Sequence, residues 1–257
     1  MRRIFILLLF ALIACGLFYW SFRVYTPAIA DDPKSPGAAI ASLEQIGLGG
    51  DKQWVLIRGR NRNAPIVLFL HGGPGMPMMY LAYTFQRPLE NDFLTVQWDR
   101  RGAGKSYTSE IDVSKMRIGQ EIDDTVSLIE KLQARFGERK IILVGHSYGT
   151  EVGVLVAQRR PDLIRAYVGV GQVACSRAEE IELQDRWLAG EARKHNDGQT
   201  LALAEGSKSW YRESALFQYG GEMFGERSFV HLILIGLRAP EYSLLDAYHV
   251  KTGVDFT

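Results

Sequence analysis

The residues with the clearest chemical potential are a serine and the two glycines that flank it. Ser147 stands at the centre of Gly145-His146-Ser147-Tyr148-Gly149, directly after residues 141–144, four apolar residues of which three are β-branched. Such a run predicts a strand buried on both faces. Glycines two positions before and after the serine allow a sharp turn from this strand into a helix. The turn would raise the Ser147 hydroxyl above the end of the sheet, within reach of a substrate carbonyl.

A glycine-rich stretch, His71-Gly72-Gly73-Pro74-Gly75, follows a short apolar run at residues 66–70. Glycines let several backbone N–H groups point at one spot without obstruction by side chains. Acyl transfer needs such donors, because negative charge develops on the carbonyl oxygen in its transition state. A plain glycine and proline turn is the simpler alternative. Because a serine turn follows downstream, we interpret the stretch as a source of oxyanion donors.

A third stretch, residues 98–106, ends in letters that imitate a phosphate-binding loop. The full phosphate-binding pattern needs a glycine five residues before Gly104, where this chain has Asp99. The spacing therefore argues against nucleotide binding. We expect instead a structural turn after a strand, in which Asp99, Arg100 and Arg101 pair locally.

In chain order, these three stretches resemble the α/β-hydrolase superfamily, and the two upstream ones resemble its prolyl-iminopeptidase-like branch, over about residues 43–172. The resemblance implies that Ser147 is the nucleophile. It also implies an oxyanion hole made by the N–H of Tyr148 and one N–H from Gly72 or Gly73. Peptidases of this branch usually carry tryptophan where this chain has Tyr148. A serine nucleophile disfavours the relatives that use aspartate.

The order of the predicted elements indicates the fold class. Strands are predicted at residues 42–48, 53–58, 66–70, 93–98, 141–144 and 165–170, and helices between them at 76–88, 118–136 and 149–159. Such alternation predicts an α/β protein with a mostly parallel sheet covered on both faces. The resemblance identifies it as the three-layer α/β-hydrolase core with a helical cap. The C-terminal core strands of the superfamily are expected to be missing.

The acid and base that would activate the serine are harder to find. A serine hydroxyl is a weak nucleophile without a base in hydrogen-bond reach. In this superfamily, an acid and then a histidine follow two further core strands, which the sequence does not show. Asp246 and His249, three residues apart on a predicted helix, are the candidate acid and base. An ordinary i,i+3 pair on an exposed helix face is the alternative.

The N-terminal residues predict a membrane anchor or a signal segment. Residues 4–22 are uncharged and about as long as a membrane-spanning helix, with two arginines before them. Cleavage after Ala30 and lipidation of Cys15 are the alternatives. The folded part is expected outside the cytoplasm, in the periplasm or the exterior, anchored to the membrane or secreted after cleavage.

Four regions follow from these patterns. They are the anchor or signal segment at residues 1–30, a flexible linker at 31–41, the hydrolase core at 42–175 and the helical cap at 176–257, for which truncation is an open alternative. Proline, glycine and aspartate in the second region are typical of a linker.

Composition limits the partners. The chain has 257 residues, a net charge of +1 and two cysteines, Cys15 and Cys175. This balance argues against nucleic acid, and two cysteines give neither a disulfide framework nor a metal pattern. We expect no metal and no cofactor, and as partners a small-molecule or short peptide substrate and the membrane.

The predicted function is a serine hydrolase that cleaves a small peptide, amide or ester through an acyl-enzyme on Ser147. A truncated, incompetent hydrolase homologue and a membrane-tethered binding protein are the alternatives.

Overall fold

A computed structural model describes residues 15, 16, 18, 24–73, 75–137, 139–206, 209–221 and 229–254. The described residues form two compact units. One comprises those up to Gln172 together with those from Ile235 onward, and the other lies within Val173–Leu234. The second unit starts close to the predicted beginning of the cap, but the residues from Ile235 onward group with the core. The four predicted regions stay a prediction.

One six-stranded sheet organises the first unit. Its strands are β1 (Ile40–Leu48), β2 (Asp51–Gly59), β3 (Ile66–Leu70), β4 (Leu94–Trp98), β5 (Ile141–His146) and β6 (Ile164–Val170), in the spatial order β1-β2-β4-β3-β5-β6. Strands β4, β3, β5 and β6, which are neighbours in that order, run parallel to one another. Strand β2 is antiparallel to both of its neighbours, β1 and β4. The predicted α/β architecture with a mostly parallel sheet is confirmed.

Eight α-helices accompany these strands in the described residues. They are α1 (Met79–Phe85), α2 (Ile118–Phe136), α3 (Tyr148–Arg159), α4 (Arg177–Lys194), α5 (Gly198–Glu205), α6 (Ser209–Tyr219), α7 (Phe229–Gly236) and α8 (Leu244–Val254). The hairpin between β1 and β2 turns on Gly49 and Gly50 alone, with φ of 54° and 89°. The predicted strands left residues 49–52 for this turn, but β2 already begins at Asp51. Two consecutive residues in the left-handed conformation are enough to connect two antiparallel strands.

The main hydrophobic core lies between the sheet and helices α2 and α3. It joins strand residues such as Ile57 and Leu143 to Ile129 of α2 and Val152 of α3, all of which are 0% exposed. Apolar residues on α2 recur at three- and four-residue steps, so one face of the helix is buried along its length. This packing fixes α3, and with it the turn that precedes α3, against the sheet.

A smaller core covers the opposite face of β2. Leu56 alternates with Val55 and Ile57 along the strand, so its side chain points away from the main core. It packs with Met79 of α1 and with Tyr242, from the chain that returns to the sheet after the helical unit. The C-terminal residues of the described chain therefore complete the first unit.

The chain between residues 24 and 39 is held against the first unit by hydrogen bonds. Tyr25 N–H donates to the Pro240 carbonyl at 3.0 Å, and the Arg58 guanidinium, which is paired with Glu90, donates to Thr26 Oγ1. In the predicted linker, Asp32 N–H donates to Arg60 O at 3.0 Å and Arg62 N–H donates to Ala38 O at 2.7 Å. No helix among the described residues is both long and apolar enough to cross a membrane, and most of residues 4–22 lie outside those described.

The second unit is a small helical assembly with its own apolar contacts. Leu188 and Ala189 of α4 pack with Ala204 of α5 and Leu216 of α6. A capping box between Ser176 and Glu179 begins α4, which stops the first turn of the helix from fraying. An ion pair between Arg212 and Asp185, at 2.8 Å, joins α6 to α4.

A buried carboxylate lies where β4 ends and the returning chain closes over it. Asp99 is 0% exposed, and its Oδ2 accepts hydrogen bonds from the Tyr242 hydroxyl and from Lys105 N–H, the latter at 2.9 Å. Burial raises the pKa of Asp99 to about 7, although these two hydrogen bonds oppose the shift. The negative charge is therefore poorly compensated in the folded protein.

We predict that Asp99 makes stability depend on pH. The folded pKa lies above the ordinary value of 3.8, so between about pH 4 and pH 7 the folded protein keeps a proton that the unfolded chain has released. The free energy of unfolding should fall across this window, by about 2–4 kcal/mol, and should level off above it. In Asp99→Asn this component should be absent, since the amide oxygen accepts the same two hydrogen bonds. Urea unfolding of both proteins at pH 5 and pH 7.5 measures the difference, and parallel pH profiles would contradict the assignment.

Candidate active site

The candidate site is built where the parallel strands end. The carboxyl ends of β4, β3 and β5 are neighbours in the sheet and lead into Asp99, His71 and Ser147 respectively. Ligands of open α/β sheets bind outside this edge, because loops and helix N-termini diverge there. The three stretches singled out in the sequence therefore meet at one edge of the sheet.

The backbone of Ser147 has an unusual conformation. Its φ is 50° and its ψ is −126°, and Ser147 is one of two non-glycine residues with positive φ in the described chain. Its N–H donates to Val170 O of β6 at 2.9 Å, and its carbonyl accepts from Thr150 N–H at 2.8 Å and Thr150 Oγ1 at 2.6 Å. These bonds hold a conformation that side-chain-bearing residues avoid, and such strain is concentrated at functional sites.

Three glycines allow the backbone segments around Ser147 to approach one another. A β-carbon on Gly149 would overlap the carbonyl oxygens of Leu70 and His71, the latter at 2.6 Å. A β-carbon on Gly145 would come within 2.5 Å of Gly149 O, and one on Gly72 within 3.1 Å of the Ser147 β-carbon. Strand β5, helix α3 and the loop after β3 are thus in near backbone contact.

Arg100 connects the loop after β3 to the rest of the site. Its guanidinium, 1% exposed, donates through Nη2 to the carbonyls of His71 and Gly72, the latter at 3.2 Å. Its Nη1 forms an ion pair with Glu121 of α2, and its planar group lies 5.3 Å from the centre of the Tyr148 ring. One buried cation therefore contacts the carbonyls of the loop after β3 and the side-chain ring of Tyr148.

The bonds from Arg100 fix which way the loop amides point. The described chain has no cis peptide bond. In a trans peptide the carbonyl and the following N–H point in opposite directions. Because the His71 and Gly72 carbonyls both face Arg100, the N–H groups of Gly72 and Gly73 face away from it. Near Ser147, the Tyr148 N–H lies at the start of α3, where helix amides have no intrahelical partner.

The two histidines in these motifs, His71 and His146, are neutral and have structural roles beside Ser147. Burial and the Arg100 charge hold the pKa of His71 well below its ordinary value. Its Nε2 accepts a hydrogen bond from Arg100 N–H at 3.1 Å, and its Nδ1 lies 2.9 Å from Gly72 O. Burial also lowers the pKa of His146, whose Nδ1 is buried without a hydrogen-bond partner in the described chain.

The structure does not bring the predicted acid and base to the serine. Within the described part of the chain, no hydrogen bond reaches the Ser147 hydroxyl. Asp246 Oδ2 binds Lys105 Nζ at 2.8 Å, and that ammonium lies 4.8 Å from the centre of the Trp54 ring on β2. Strand β2 is three strand spacings from β5, which is ~14 Å.

His249 also lies on the side of β2. Its ring is 4.7 Å from that of Tyr107, and Tyr107 and Lys105 line a cavity of about 250 Å³ beside the β1–β2 hairpin. Asp246 additionally accepts from Ser243 N–H at 2.8 Å at the start of α8, so its carboxylate is occupied by structural partners. These contacts give no support to the predicted roles of Asp246 as the acid and His249 as the base. Both roles stay a prediction.

The contacts of the two arginines differ from the prediction. Local pairing of Asp99, Arg100 and Arg101 is wrong, because both arginines reach α2, where Arg101 binds Asp124 at 2.8 Å and Arg100 binds Glu121. Sequence reasoning therefore missed Arg100 as a site residue. The available signal was a pair of acidic residues, Glu121 and Asp124, on one face of the amphipathic α2, but the sequence does not say which loop they meet. Among the described residues, no group of three histidine, cysteine or acidic side chains could hold a metal.

We predict that Gly149→Ala disrupts the contact between α3 and the loop after β3. The added methyl group meets backbone oxygens, which cannot rotate away, so the free energy of unfolding should fall by about 1–3 kcal/mol. Gly119→Ala is the matched control, since a β-carbon there has nothing within 4 Å, and it should be neutral or stabilising by up to about 1 kcal/mol. Chemical denaturation of both variants measures the effect, and equal stabilities would refute the close approach.

We also predict that Arg100→Lys loosens the loop after β3. A lysine keeps the charge but cannot donate to Glu121 and to two carbonyls at once. Backbone NMR order parameters of residues 71–73 should fall from values of a rigid backbone, about 0.85, to below about 0.6, with residues of β5 as the rigid internal reference. Glu121→Gln keeps the bonds from Arg100 to the carbonyls and should change these order parameters much less. If both variants lowered them equally, the ion pair with Glu121, and not the bonds to the carbonyls, would order the loop.

Comparison with known proteins identifies relatives of this chain. The family described as alpha/beta hydrolase fold matches residues 65–211. The chain is 32% identical to the probable aminopeptidase YbaC of Bacillus subtilis over 228 residues, which cover 85% of this chain and 72% of that protein. It is 31% identical to the proline iminopeptidase of Neisseria meningitidis over 121 residues, but spans only 36% of that protein's length.

A solved structure supports the fold independently. The chain resembles the proline iminopeptidase-related protein of Thermus thermophilus with a TM-score of 0.51 and 23% identity, over 70% of this chain and 60% of that one. At this identity the likeness concerns the fold. Together with the family match over more than half of the sequence and the site built at the ends of β3, β4 and β5, it leads to one conclusion. The chain belongs to the α/β-hydrolase fold family.

Proposed function

We propose that the protein is a serine hydrolase of the prolyl-iminopeptidase-like branch, which cleaves a small peptide, amide or ester through an acyl-enzyme on Ser147. The observation that carries the proposal is the strained turn at Ser147, with φ of 50°, packed against the loop after β3. A structural turn could place glycine there at lower cost. A serine in this conformation is explained by a role for its hydroxyl.

In the proposed reaction, the Ser147 hydroxyl attacks the substrate carbonyl as a histidine removes its proton. The oxyanion that forms receives hydrogen bonds from the N–H of Tyr148 and from that of Gly72 or Gly73. Arg100 holds the loop carbonyls, so these donors need little rearrangement when charge develops. The leaving amine or alcohol takes up the proton, and water then hydrolyses the acyl-enzyme.

The substrate class is proposed from the relatives. One is called a probable aminopeptidase and another a proline iminopeptidase. We therefore propose a substrate with a free amino terminus next to the scissile bond, cleaved without a metal or an organic cofactor. Tyr148, in the position where peptidases of this branch usually carry tryptophan, keeps esters among the candidate substrates.

A binding protein is the second candidate, and one observation favours it. The Ser147 hydroxyl has no hydrogen-bonded base in the described chain, and Asp246 is occupied by Lys105 and Ser243. A hydroxyl without a base reacts slowly. Such a protein would use the same edge of the sheet to bind a peptide or small molecule without turning it over.

We further propose that the N-terminal apolar residues anchor the protein, with the folded part outside the cytoplasm. The support is the uncharged run at residues 4–22, preceded by Arg2 and Arg3. The described chain that follows is bonded to the folded unit from Tyr25 onward, so an anchor would be joined to it by only a few residues.

Covalent labelling by a fluorophosphonate probe tests the catalytic proposal. The probe reacts with activated serines, so the full chain should be labelled once, and Ser147→Ala should lose all labelling. Ser114→Ala is the matched control, because Ser114 is exposed and lies on a separate turn, and it should label as the native chain does. If the folded native protein stays unlabelled, the hydrolase proposal is wrong and the binding protein is favoured. Hydrolysis of a prolyl arylamide and of an acetate ester by labelling-competent protein then separates peptidase from esterase.

A further inference from the structure

Helix α8 packs Val250 against the smaller core but also has an apolar face that is exposed. Its polar residues Asp246 and His249 are turned towards the rest of the first unit, where they contact Lys105 and Tyr107. Three apolar residues point outward instead, with Leu244, Leu245 and Tyr248 exposed by 49%, 51% and 61%. Surface helices normally place the apolar stripe inside and the charges outside. An exposed apolar face of this kind marks an interaction surface.

The same surface continues onto the turn after α7 and the N-terminal segment. Leu237 and Tyr25 are 39% and 43% exposed, and together with Leu244 they line a cavity of about 110 Å³. Arg238 is the exposed charged residue of this turn. We call Tyr25, Leu237, Leu244, Leu245 and Tyr248 the apolar patch. Between residues 236 and 250, the acidic residues Glu241 and Asp246 are both turned inward, so the patch carries no exposed carboxylate.

The position of the chain beside the patch argues for one occupant. Tyr25 N–H donates to Pro240 O at 3.0 Å, which fixes the N-terminal segment on the patch. The uncharged run at residues 4–22 ends three residues before Tyr25, a distance of at most about 10 Å along an extended chain. If residues 4–22 enter a bilayer, the apolar patch is held at the surface of that bilayer.

We propose that the apolar patch is a membrane-docking surface, which lies on the lipid headgroups next to the N-terminal anchor. The chemistry of the patch fits this location. Leucine side chains partition into the upper acyl region, tyrosines such as Tyr25 and Tyr248 favour the interface, and Arg238 faces the phosphate groups. This inference rests on the proposed anchor, but it makes a separate statement about which side of the folded unit meets the lipid.

Site-specific fluorescence in vesicles tests the docking surface on the full chain. In a Cys15→Ser, Cys175→Ser background, an environment-sensitive dye is attached to Leu244→Cys or to Leu245→Cys. Leu155→Cys is the matched control, since Leu155 is an exposed leucine on α3, a helix on the opposite face of the sheet from α8. The vesicles contain phosphatidylcholine and phosphatidylglycerol, with or without lipids that carry a nitroxide near the headgroup.

Quenching by the nitroxide lipids should reduce the fluorescence at positions 244 and 245 by at least about twofold and leave position 155 unchanged. Absence of vesicle binding would overturn both the anchor and the docking surface. Binding with equal quenching at all three positions would overturn the docking surface and leave the anchor standing. Fluorescence at position 244 that responds to protein concentration instead of lipid would identify a second copy of the chain as the occupant, and would also overturn it. Labelling of Ser147 is read separately, so failure of the catalytic proposal is distinguishable from each of these outcomes.

Discussion

The buried guanidinium of Arg100 is the interaction on which the site depends. A cation removed from water is tolerated only when charge and hydrogen bonds replace its hydration. Here Glu121 supplies the charge, while the carbonyls of His71 and Gly72 accept the remaining donors. Neutral His71 also helps to replace the lost hydration, because its Nε2 accepts a hydrogen bond from Arg100 Nε–H at 3.3 Å. The hydrogen bonds that compensate the charge of Arg100 therefore also orient the loop whose amides are the proposed oxyanion donors.

Backbone proximity is the second constraint, and it operates through the absence of side chains. The approach of α3 to the end of β3 leaves no room for a β-carbon at Gly149, and little at Gly72. Hydrogen bonds to Arg100 from one side and close packing from the other restrict the loop after β3, in which His71 is the residue whose side chain contacts Arg100. The proposed oxyanion donors would thus be in place before any ligand arrives, which is the condition for effective stabilisation of developing charge.

Much of this arrangement could be predicted from the sequence, because its signals are local. The strand before Ser147, the helix after it and the glycines at fixed spacing all lie within twenty residues, and each has a direct backbone meaning. The partners of Arg100 and Arg101 could not be predicted, since the choice between nearby aspartates and the acids of α2 depends on which loop meets which helix. Asp246 and His249 were chosen by spacing on a helix. Spacing shows that two side chains share a face, but it does not show what lies opposite that face.

Residues after the helical unit complete the first unit, and this order of the chain affects folding during synthesis. Asp99 and Tyr242 are 143 residues apart in the chain, and the whole helical unit is synthesised between them. Contacts of such separation form late, since a long loop must be closed before they contribute. While a ribosome is still adding residues 173–234, the outer face of β2 is covered by α1 but not yet by Tyr242, and the carboxylate of Asp99 lacks the hydroxyl that binds it. The nascent chain therefore passes through an interval in which all six strands exist but one face of the sheet is only partly covered, and exposed surface of this kind favours aggregation.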